Sequence, residues 1–377
     1  MRRRHLILIA TVGLALTTPA MLPSPGQAAE HRDTASVLVF GHRGAAGYRP
    51  EHTLASYDLA VRLGADVIEP DLVSTKDHVL VARHENNITG TTDVASHGEF
   101  AFRKVTKTID GVAATGWFTE DFTLAELKTL RAVERLPKVR EENTLHDGRY
   151  QIPTLQEVID LAAQDSKRYG RTIAIAPETK HPTYFDGLGL SLEEPLVDAL
   201  RKNHLDRKDS GVYLQSFETR NLRELRRRFG LKVHLVQLTG TSGTPFGEPQ
   251  TYASMTTPAG LREISTYADW LGPDKAQIFP RAADGSTAAP TALLRDAHEA
   301  GLRVVAYTYR AENQFLPLQY RHGADPNAYG DVLAELREAM RAGLDGFFTD
   351  QADLGFTARE DVLGYHLSVG HPEAPAA

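Results

Sequence analysis

The sequence VLVFGHRG, residues 37–44, joins an apolar run that predicts a β-strand to a polar segment that carries a histidine and an arginine. The same arrangement recurs in DVIEPD at residues 66–71, where two carboxylates follow the apolar pair. It recurs again in TIAIAPETK at residues 172–180, which ends in a glutamate and a lysine. Groups that bind phosphate and metal ions therefore follow three predicted strands, and strand ends of this kind are typical of active sites in α/β proteins.

Predicted strands and helices alternate along most of the chain, which indicates βα units. The clearest helix start is at Thr154, because Glu157 follows three residues later and completes a capping box. The predicted strands are 37–41, 66–73, 79–82, 172–176, 211–216, 232–238, 268–271, 303–309 and 346–349. The predicted helices are 53–63, 124–132, 154–169, 193–203, 219–229, 258–268, 292–300 and 331–342.

The order of these elements favours a parallel sheet that closes on itself. In a (β/α)8 barrel the carboxyl ends of all strands meet at one mouth, where the chemistry takes place. The polar residues of this chain follow its predicted strands, so we predict an α/β fold of the (β/α)8 TIM-barrel class. A doubly wound sheet is the alternative, but it would not bring the ends of the first, third and last strands to one pocket.

Three boundaries divide the chain. The barrel domain is predicted to span residues 36–356. Residues 89–150 break the alternation and are rich in threonine, glycine and charge, so we predict an insertion on an early βα loop at the mouth of the barrel. Residues 360–377 end in a stretch that contains Pro372 and Pro375 and predict a disordered tail.

The amino terminus predicts a secretory leader over residues 1–28. Arginines at positions 2–4 precede the short apolar stretch 6–16, and small residues at 26–28 offer a cleavage site. The apolar stretch is short for a membrane span, although an uncleaved anchor is the alternative. We therefore predict a secreted or periplasmic protein with no stable membrane insertion after the leader is removed.

The charge and the absence of cysteine exclude several classes of protein. The formal charge of the chain is −7, and loss of the three leader arginines makes the mature protein more acidic. An acidic surface is a poor general binder of nucleic acid, so we predict no nucleic-acid partner. Without cysteine no disulfide can form, and the fold depends on its core and on any bound metal.

The carboxylates predict a metal site. Glu69 and Asp71 are two residues apart on a strand and therefore face the same side. They raise each other's pKa unless a cation lies between them. Glu178 supplies a third oxygen ligand from another strand, and a site made of carboxylates without cysteine suits Ca²⁺ or Mg²⁺. A solvated strand edge with salt bridges is the alternative.

Basic side chains near these carboxylates predict phosphate binding and proton transfer. Arg43 can hold a phosphate through two parallel hydrogen bonds, and His42 can exchange a proton near neutral pH. A second imidazole at His84 allows one general base and one general acid. Lys180 either holds a phosphate oxygen or pairs with Glu178. Taken singly, each histidine could also make only structural contacts.

These segments together resemble a known family, the glycerophosphodiester phosphodiesterases. The run GHRGAAGYRPEHT at 41–53 resembles the opening motif of that family, and EPD at 69–71 resembles its Glu-x-Asp motif. His84 stands at its second histidine, and ETK at 178–180 matches its Glu-x-Lys motif. The likeness runs from about residue 37 to 355 and is greatest to the periplasmic bacterial branch. Further segments similar to that branch are 213–217, 236–238 and 346–350.

The resemblance implies a (β/α)8 fold and hydrolysis of small-molecule glycerophosphodiesters to sn-glycerol 3-phosphate and an alcohol. It also implies one divalent cation, with Ca²⁺ expected ahead of Mg²⁺; it sets neither the preferred alcohol nor the oligomeric state. Many relatives have a tryptophan that contacts the glycerol of the substrate where this chain has Tyr307. We therefore expect Tyr307, Phe217 or an aromatic residue of the insertion to form the apolar wall of the pocket against the glycerol. The residues carried over are the metal ligands Glu69, Asp71 and Glu178, the acid–base pair His42 and His84, and the substrate- or phosphate-binding residues Arg43, Lys180, Gln215 and Tyr307.

Two reaction routes and two other functions remain open from the sequence. The glycerol hydroxyl can attack phosphorus to form a cyclic phosphate, or water can attack directly. A phospholipase that acts on intact lipid head-groups would need an exposed apolar rim, for which the insertion offers aromatic residues. A binding protein that has lost activity would not need both histidines and all three carboxylates. The insertion contains Phe100, Phe102, Trp117, Phe118 and Phe122.

Overall fold

The structure is a computed structural model that describes residues 37–364. The predicted leader, 1–28, and the chain beyond residue 364 lie outside the described residues. The strands are β1 Leu38–Gly41, β2 Val67–Ile68, β3 Asp71–Ser74, β4 Leu80–Ala82, β5 Val105–Ile109, β6 Val112–Gly116, β7 Ala174–Ile175, β8 Glu178–Thr179, β9 Tyr213–Ser216, β10 His234–Thr239, β11 Trp270–Pro273, β12 Arg303–Tyr309 and β13 Gly346–Thr349.

Helices follow most of these strands. The α-helices are α1 Leu54–Arg62, α2 Leu124–Leu127, α3 Leu155–Tyr169, α4 Pro182–Gly187, α5 Glu193–Lys202, α6 Thr219–Arg227, α7 Tyr252–Met255, α8 Pro258–Ile264, α9 Lys275–Ile278, α10 Leu293–Glu299, α11 Val332–Arg341 and α12 Ala352–Leu363. Within the described part of the chain, no helix has the length and apolar character that a membrane crossing requires. The capping box at Thr154 and Glu157 is confirmed at the start of α3.

The parallel strands belong to one curled sheet, and the chain completes the ring by continuing from β2 into β3 and from β7 into β8. Strand β1 pairs with β2 on one side and with β13 on the other. From β2 the pairing continues through β7, and from β3 through β8 and β9, and then along β10, β11 and β12 back to β13. Every one of these pairs is parallel, and helices lie between successive strands, as predicted for a (β/α)8 barrel. A doubly wound sheet has two free edges and does not fit this ring.

Two prolines interrupt two strands of the ring. The segment predicted as one strand at 66–73 is divided at Pro70 into β2 and β3, and Pro177 separates β7 from β8 in the same way. Proline has no N–H group to donate to the ladder, so regular pairing stops at each proline and resumes after it. Glu178 consequently lies within a strand, paired with Asp71, and not after the strand end at residue 176 as predicted.

The predicted strand at 79–82 lies outside the ring. It forms β4, which pairs antiparallel with β3 after the chain turns back. The backbone N–H of Arg83 donates to the carbonyl of Asp71 at 2.8 Å. This return brings His84 to the cavity that Glu69, Asp71 and Glu178 also line. His84 therefore lies at the mouth of the barrel, as expected from the sequence, although β4 is not one of the barrel strands.

Alternate side chains of the ring strands fill the barrel interior. A cluster of buried apolar residues inside the ring is drawn from alternate positions of several strands, for example Phe40 on β1 and Phe348 on β13, whose rings lie 4.8 Å apart. Continuing this alternation towards the carboxyl end reaches His42 and Asp350 on these two strands. The remaining members of the cluster are Val67, Ala174, Ala176, Val236, Leu238, Trp270 and Val305.

The segment 89–150 folds into short elements whose buried apolar side chains join the main core of the domain. It contains the hairpin of β5 and β6 and several 3-10 turns, and its predicted helix at 124–132 ends at Leu127. Of its five phenylalanine and tryptophan side chains, only Phe102 is largely exposed, at 78 %, and the other four are at most 7 % exposed. The segment is therefore held together by buried rings.

The carboxyl-terminal helix was not predicted from the sequence. Helix α12 runs through Leu363 and ends at Gly364, whose φ of 75° lies in the left-handed region that glycine adopts easily. The disordered tail predicted from residue 360 is therefore wrong for residues 360–363, which are helical. Buried alanine and glycine positions pack this helix against the barrel, and its weak apolar periodicity explains why the pattern was missed.

Candidate active site

A cavity of about 290 Å³ opens at the carboxyl ends of the ring strands. Its position agrees with the predicted mouth of the barrel. The cavity is lined by His42, Arg43, Glu69, Asp71, His84, Glu178, Gln215, Phe217, Leu238, Asp274, Lys275, Tyr307, Thr308, Arg310, Phe315 and Phe348. Eight of the nine residues predicted to form the site line this cavity, and the ninth, Lys180, contacts two of its lining residues.

Glu69, Asp71 and Glu178 form an acidic triad. One carboxylate oxygen from each lies within 4.8 Å of the others, and each residue is at most 5 % exposed. At 4.8 Å two unit charges repel by about 3.5 kcal/mol for an effective dielectric constant of about 20, so three ionised carboxylates require a cation. The Oδ1 atom of Asp71 is buried without a hydrogen-bond partner. These residues therefore fit a divalent cation bound by oxygen ligands.

The electrostatics of the triad agree with this assignment. Burial raises the pKa of Glu69 well above its usual value, and the negative charges of Asp71 and Glu178 add to the effect. Burial also raises the pKa of Glu178 to about 7, despite the nearby ammonium of Lys180. A bound cation would remove the repulsion that favours protonation, so binding of the metal and loss of protons are coupled at this site.

Neighbouring side chains fix the orientation of the triad. The Nε2 group of Gln215 donates to Glu69 Oε1 at 2.7 Å, and the backbone N–H of Arg43 donates to Glu69 Oε2 at 3.0 Å. The ring of His52 lies with Nε2 2.9 Å from Asp71 Oδ2. Gln215, predicted to bind substrate, thus orients a metal ligand, while its Oε1 is buried without a partner and remains available as an acceptor.

His42 is held by a buried carboxylate that was not assigned a role from the sequence. Its Nδ1 lies 2.5 Å from Asp350 Oδ1, while Oδ2 of Asp350 accepts from Arg140 at 2.6 Å and from Arg310 at 2.8 Å. Burial lowers the pKa of His42 to about 4, and the negative charge of Asp350 opposes this effect. The imidazole is therefore neutral at physiological pH, as a general base must be before it takes a proton.

Arg43 has a special backbone conformation and a partly occupied guanidinium. Its φ of 56° lies in the left-handed region, which is uncommon for a residue other than glycine and directs its N–H towards Glu69. Nη1 donates to both oxygens of Glu51 at 3.0 and 3.1 Å. Among the described residues no partner is found for Nη2, and Nε is buried without a hydrogen bond, 3.7 Å from Oδ2 of Asp71. Arg43 therefore keeps donors for a phosphate while Glu51 fixes its position.

Lys180 connects the triad to the second histidine. Its Nζ donates to Glu178 Oε1 at 2.9 Å and lies 3.3 Å from His84 Nε2. Burial, followed by the charges of Arg43 and Lys180, lowers the pKa of His84, although 31 % of its side chain remains exposed. The other ring nitrogen of His84, Nδ1, lies 2.8 Å from Glu85 Oε1. Both sequence alternatives for Lys180 are compatible with this position, since it pairs with Glu178 at the edge of the cavity.

Tyr307 lies in the wall of the cavity. Its hydroxyl donates to the carbonyl of Thr239 at 2.9 Å, so its ring rather than its polar group is free to contact a ligand. The ring packs edge-on against Phe217 at 6.0 Å, and both residues line the cavity. The two candidates named for the apolar wall therefore form it together, without an aromatic residue of the segment 89–150.

The residues missed in the sequence analysis mostly stand beside the triad or His42. Glu51 and His52 belong to the motif at 41–53, but no role was given to them there. Asp350 follows the last strand directly, so the rule that selected the other strand-end residues could have found it. Arg140 offered no such signal, because it lies in a segment without regular periodicity.

Comparison with known proteins agrees with this geometry. The model of the glycerophosphoryl diester phosphodiesterase family matches residues 42–354, which is most of the chain. The chain belongs to this family. One relative, glycerophosphodiester phosphodiesterase GDPD6 from Arabidopsis thaliana, is 35 % identical over 87 % of this chain and 88 % of its own. Glycerophosphodiester phosphodiesterase from Haemophilus influenzae is 30 % identical over 84 % of this chain and 88 % of its own.

Solved structures of glycerophosphodiester phosphodiesterases and related proteins share the fold. A phosphodiesterase from Oleispira antarctica, in complex with the product sn-glycerol-3-phosphate, matches with a TM-score of 0.56 and 20 % identity, over 86 % of this chain and 98 % of its own. A glycerophosphodiester phosphodiesterase from Agrobacterium tumefaciens matches with a TM-score of 0.54 and 17 % identity, over 85 % of this chain and 99 % of its own. These structures support the fold, and the family match over residues 42–354 confirms the membership predicted from the sequence.

Proposed function

We propose that this protein hydrolyses glycerophosphodiesters to sn-glycerol 3-phosphate and an alcohol. The observation that carries the proposal is one cavity in which the acidic triad, the guanidinium of Arg43 and the two imidazoles of His42 and His84 come together. The names of its relatives, glycerophosphodiester phosphodiesterases from a plant and from bacteria, support the same reaction.

His42 is proposed as the general base and His84 as the general acid. His42 is neutral and is oriented by Asp350, which leaves Nε2 directed towards the triad, 3.9 Å from Glu69 Oε2. There it can take the proton of the glycerol hydroxyl as that oxygen attacks phosphorus. Because burial and the charges of Arg43 and Lys180 lower the pKa of His84, its imidazole must first take a proton from solvent. Held by Glu85, it then gives this proton to the leaving alcohol, and water opens the cyclic phosphate with the two roles reversed.

Arg43 and Lys180 are proposed to stabilise the charge on the phosphoryl oxygens. Glu69, Asp71 and Glu178 would hold one divalent cation, Ca²⁺ ahead of Mg²⁺. When bound, this cation supplies Lewis-acid stabilisation of the phosphate and lowers the pKa of an oxygen that it contacts. A substrate without the glycerol 2-hydroxyl group distinguishes the two routes, because attack by that hydroxyl cannot occur and direct attack by water can.

The phospholipase alternative loses its main support in the structure. It needs an exposed apolar rim that enters a bilayer. Phe100, Trp117, Phe118 and Phe122, which the sequence offered for that rim, are buried, and Phe102 alone of the five is exposed. We therefore keep deacylated glycerophosphodiesters as the proposed substrates.

The proposal also covers the position of residues 89–150 and the location of the protein. This segment stands between β4 and α3, which supports an insertion on an early βα loop, and its Arg140 contacts both Asp350 and Glu312 at the mouth. The leader-like residues 1–28 support export, in agreement with the resemblance to the periplasmic bacterial branch.

A metal add-back assay tests the proposed function. The protein is treated with EDTA and then supplied with Ca²⁺ or Mg²⁺ in the presence of glycerophosphocholine, glycerophosphoethanolamine or glycerophosphoglycerol. We expect sn-glycerol 3-phosphate to form only after a cation is restored. Release of phosphocholine in place of choline, or equal activity in EDTA, would contradict the proposal. Intact phosphatidylcholine vesicles test the phospholipase alternative in the same assay.

A further inference from the structure

A second cavity of about 380 Å³ lies beside the active-site cavity. Glu178 and Phe217 line both cavities, so the two share a wall. The volume lies within the range of small-molecule sites, about 300–1,000 Å³. The second cavity is lined by Asp110, Glu178, Thr179, Lys180, His181, Pro182, Ser216, Phe217, Glu218, Thr244, Phe246, Gly247 and Tyr252.

Glu218 is a buried carboxylate without a counter-ion. It is 4 % exposed, and within the described part of the chain its side chain accepts hydrogen bonds from Thr183 alone, through Oγ1 at 2.5 Å and through the backbone N–H at 3.3 Å. No basic side chain among residues 37–364 lies within ion-pair distance of it. A buried carboxylate is normally paired with a cation, because burial of an isolated charge is costly. Burial raises the pKa of Glu218 to about 7, as expected for such a group.

The positive side chains in the second cavity are already neutralised. Lys180 pairs with Glu178 at 2.9 Å. His181 contacts two carboxylates, since Nδ1 lies 2.5 Å from Asp110 Oδ2 and Nε2 lies 3.0 Å from Glu85 Oε2. The Oδ1 atom of Asp110 is itself buried without a hydrogen-bond partner. The cavity therefore presents unbalanced negative charge at Glu218, while Asp110 is paired with His181 and keeps one oxygen free to accept a hydrogen bond.

Three aromatic rings line the same cavity as Glu218, and one of them, Phe217, already has the ammonium of Lys180 over its ring at 5.8 Å. Phe217 and Tyr252 pack edge-on with their centroids 6.2 Å apart, and both line the cavity. Phe246, which also lines it, is 39 % exposed. Aromatic faces next to a carboxylate bind quaternary and primary ammonium groups, because the faces are electron-rich and the carboxylate supplies the opposite charge.

The position of the second cavity relates it to the leaving alcohol. Lys180, one of its lining residues, lies 3.3 Å from Nε2 of His84. In the proposed reaction His84 gives its proton to the oxygen of the leaving alcohol, so that alcohol extends towards the side of the active site on which Lys180 and His181 lie. Tyr307 and Arg310 line the first cavity and not the second.

We propose that the second cavity is a subsite for the leaving alcohol and selects alcohols that carry an ammonium group, through the carboxylate of Glu218 and the rings of Phe217, Phe246 and Tyr252. This inference rests on the proposed function. The preferred substrates are therefore glycerophosphocholine and glycerophosphoethanolamine, ahead of diesters of glycerol or inositol.

The test compares choline with its uncharged carbon isostere, 3,3-dimethylbutan-1-ol. Binding of each to the metal-loaded protein is measured by titration calorimetry, and kcat/KM is measured for glycerophosphocholine and glycerophosphoglycerol. We expect choline to bind about tenfold more tightly than the isostere, because only choline carries the positive charge that Glu218 and the aromatic rings attract. In Glu218→Gln that preference and the preference for glycerophosphocholine should both disappear, with kcat/KM for glycerophosphoglycerol unchanged.

Two further variants protect the test against a folding defect. Glu224→Gln removes a carboxylate of the same helix that pairs with Arg228 on the surface, and it should change nothing. Phe246→Leu keeps an apolar side chain at a partly exposed position, so choline binding should weaken about threefold while binding of the isostere is retained.

Equal affinity for choline and its isostere would overturn the proposal, as would a Glu218→Gln variant that keeps the full preference for choline or loses both ligands equally. If the metal-loaded protein hydrolyses neither diester, the proposed function fails, and the calorimetric comparison still decides the cation site by itself.

Discussion

Nδ1 of His42 lies 2.5 Å from Oδ1 of Asp350, although 308 positions separate the two residues in the chain. The ring closure that pairs β1 with β13 brings them together. Because a carboxylate accepts hydrogen bonds only, Nδ1 of His42 must carry the proton and Nε2 is left with a free lone pair. Asp350 is thus a positioning residue that selects the tautomer which a general base requires.

The substitution Asp350→Asn should reverse this tautomer. Arg140 and Arg310 donate to Oδ2, so the oxygen of the introduced amide will face them and its NH₂ group will face His42. Nδ1 must then accept a hydrogen bond, and Nε2 carries the proton and cannot act as base. We expect kcat to fall about 10²- to 10⁴-fold, as for other histidine–aspartate pairs. Steady-state kinetics should show little change in KM.

Asp353→Asn is the matched control for this prediction. Asp353 accepts from the hydroxyl of Tyr48 at 2.8 Å and lies on α12, away from His42. Its substitution should leave kcat unchanged. A similar loss in both variants, or an effect of Asp350→Asn on KM alone, would show that Asp350 acts on the fold or on substrate binding and not through His42.

The barrel and the acidic triad were predictable because both follow from local rules. Alternation along strands and polar residues at strand ends depend on a few neighbouring positions, which a sequence displays directly. The division of the strands at Pro70 and Pro177 obeys an equally local rule and could have been predicted. Asp350 satisfied the strand-end rule, but its role depends on which strand lies beside β1.

Other features depend on contacts that no local pattern reports. Arg140 reaches Glu312 and Asp350 from a segment without periodicity, and only the folded chain shows this contact. His84 reaches the cavity because β4 turns back and pairs antiparallel with β3, and the sequence analysis did not predict this pairing. The sequence also assigned Gln215 to the substrate, whereas the structure places its NH₂ group against Glu69.

The role of His84 as general acid predicts a dependence on the leaving group. For glycerophosphocholine, His84→Ala should lower kcat about 10²- to 10⁴-fold, because the departing alkoxide needs a proton. For the p-nitrophenyl ester of glycerol 3-phosphate the loss should be below about tenfold, because p-nitrophenolate leaves without protonation. His42→Ala should be equally impaired with both substrates. If the two variants respond alike to the activated ester, the acid and base are assigned wrongly.

The acidic triad predicts that a divalent cation stabilises the fold. Addition of Ca²⁺ to the EDTA-treated protein should raise its unfolding temperature. At a free Ca²⁺ concentration 100 times Kd, the free energy of unfolding should increase by about 2.7 kcal/mol. Glu69→Gln should abolish this shift and the dependence of activity on metal. Glu193→Gln, which alters a buried carboxylate next to Asn221 outside the cavity, should keep the shift. An unchanged Ca²⁺ response in Glu69→Gln would place the metal site elsewhere.

His181 predicts a pH dependence of stability that is separate from catalysis. Burial lowers the pKa of His181, but its contacts with Asp110 and Glu85 outweigh burial and raise the pKa to about 9 from 6.5. Because the folded state binds the proton more tightly than the unfolded state, this stabilisation is complete below pH 6.5 and is lost as the pH rises through about 9.

His181→Asn is the variant that measures this effect, since asparagine tolerates the left-handed conformation that His181 adopts at φ 51°. We expect it to lower the free energy of unfolding by roughly 2–3 kcal/mol at about pH 6 and by much less at about pH 10. Urea denaturation of both proteins at each pH provides the measurement. His78→Asn is the control, because His78 has a φ of 60°, contacts the carbonyl of Ser191 and makes no ion pair with a carboxylate of residues 37–364. An equal loss in His181→Asn at both pH values would mean that the ion pairs of His181 do not stabilise the fold.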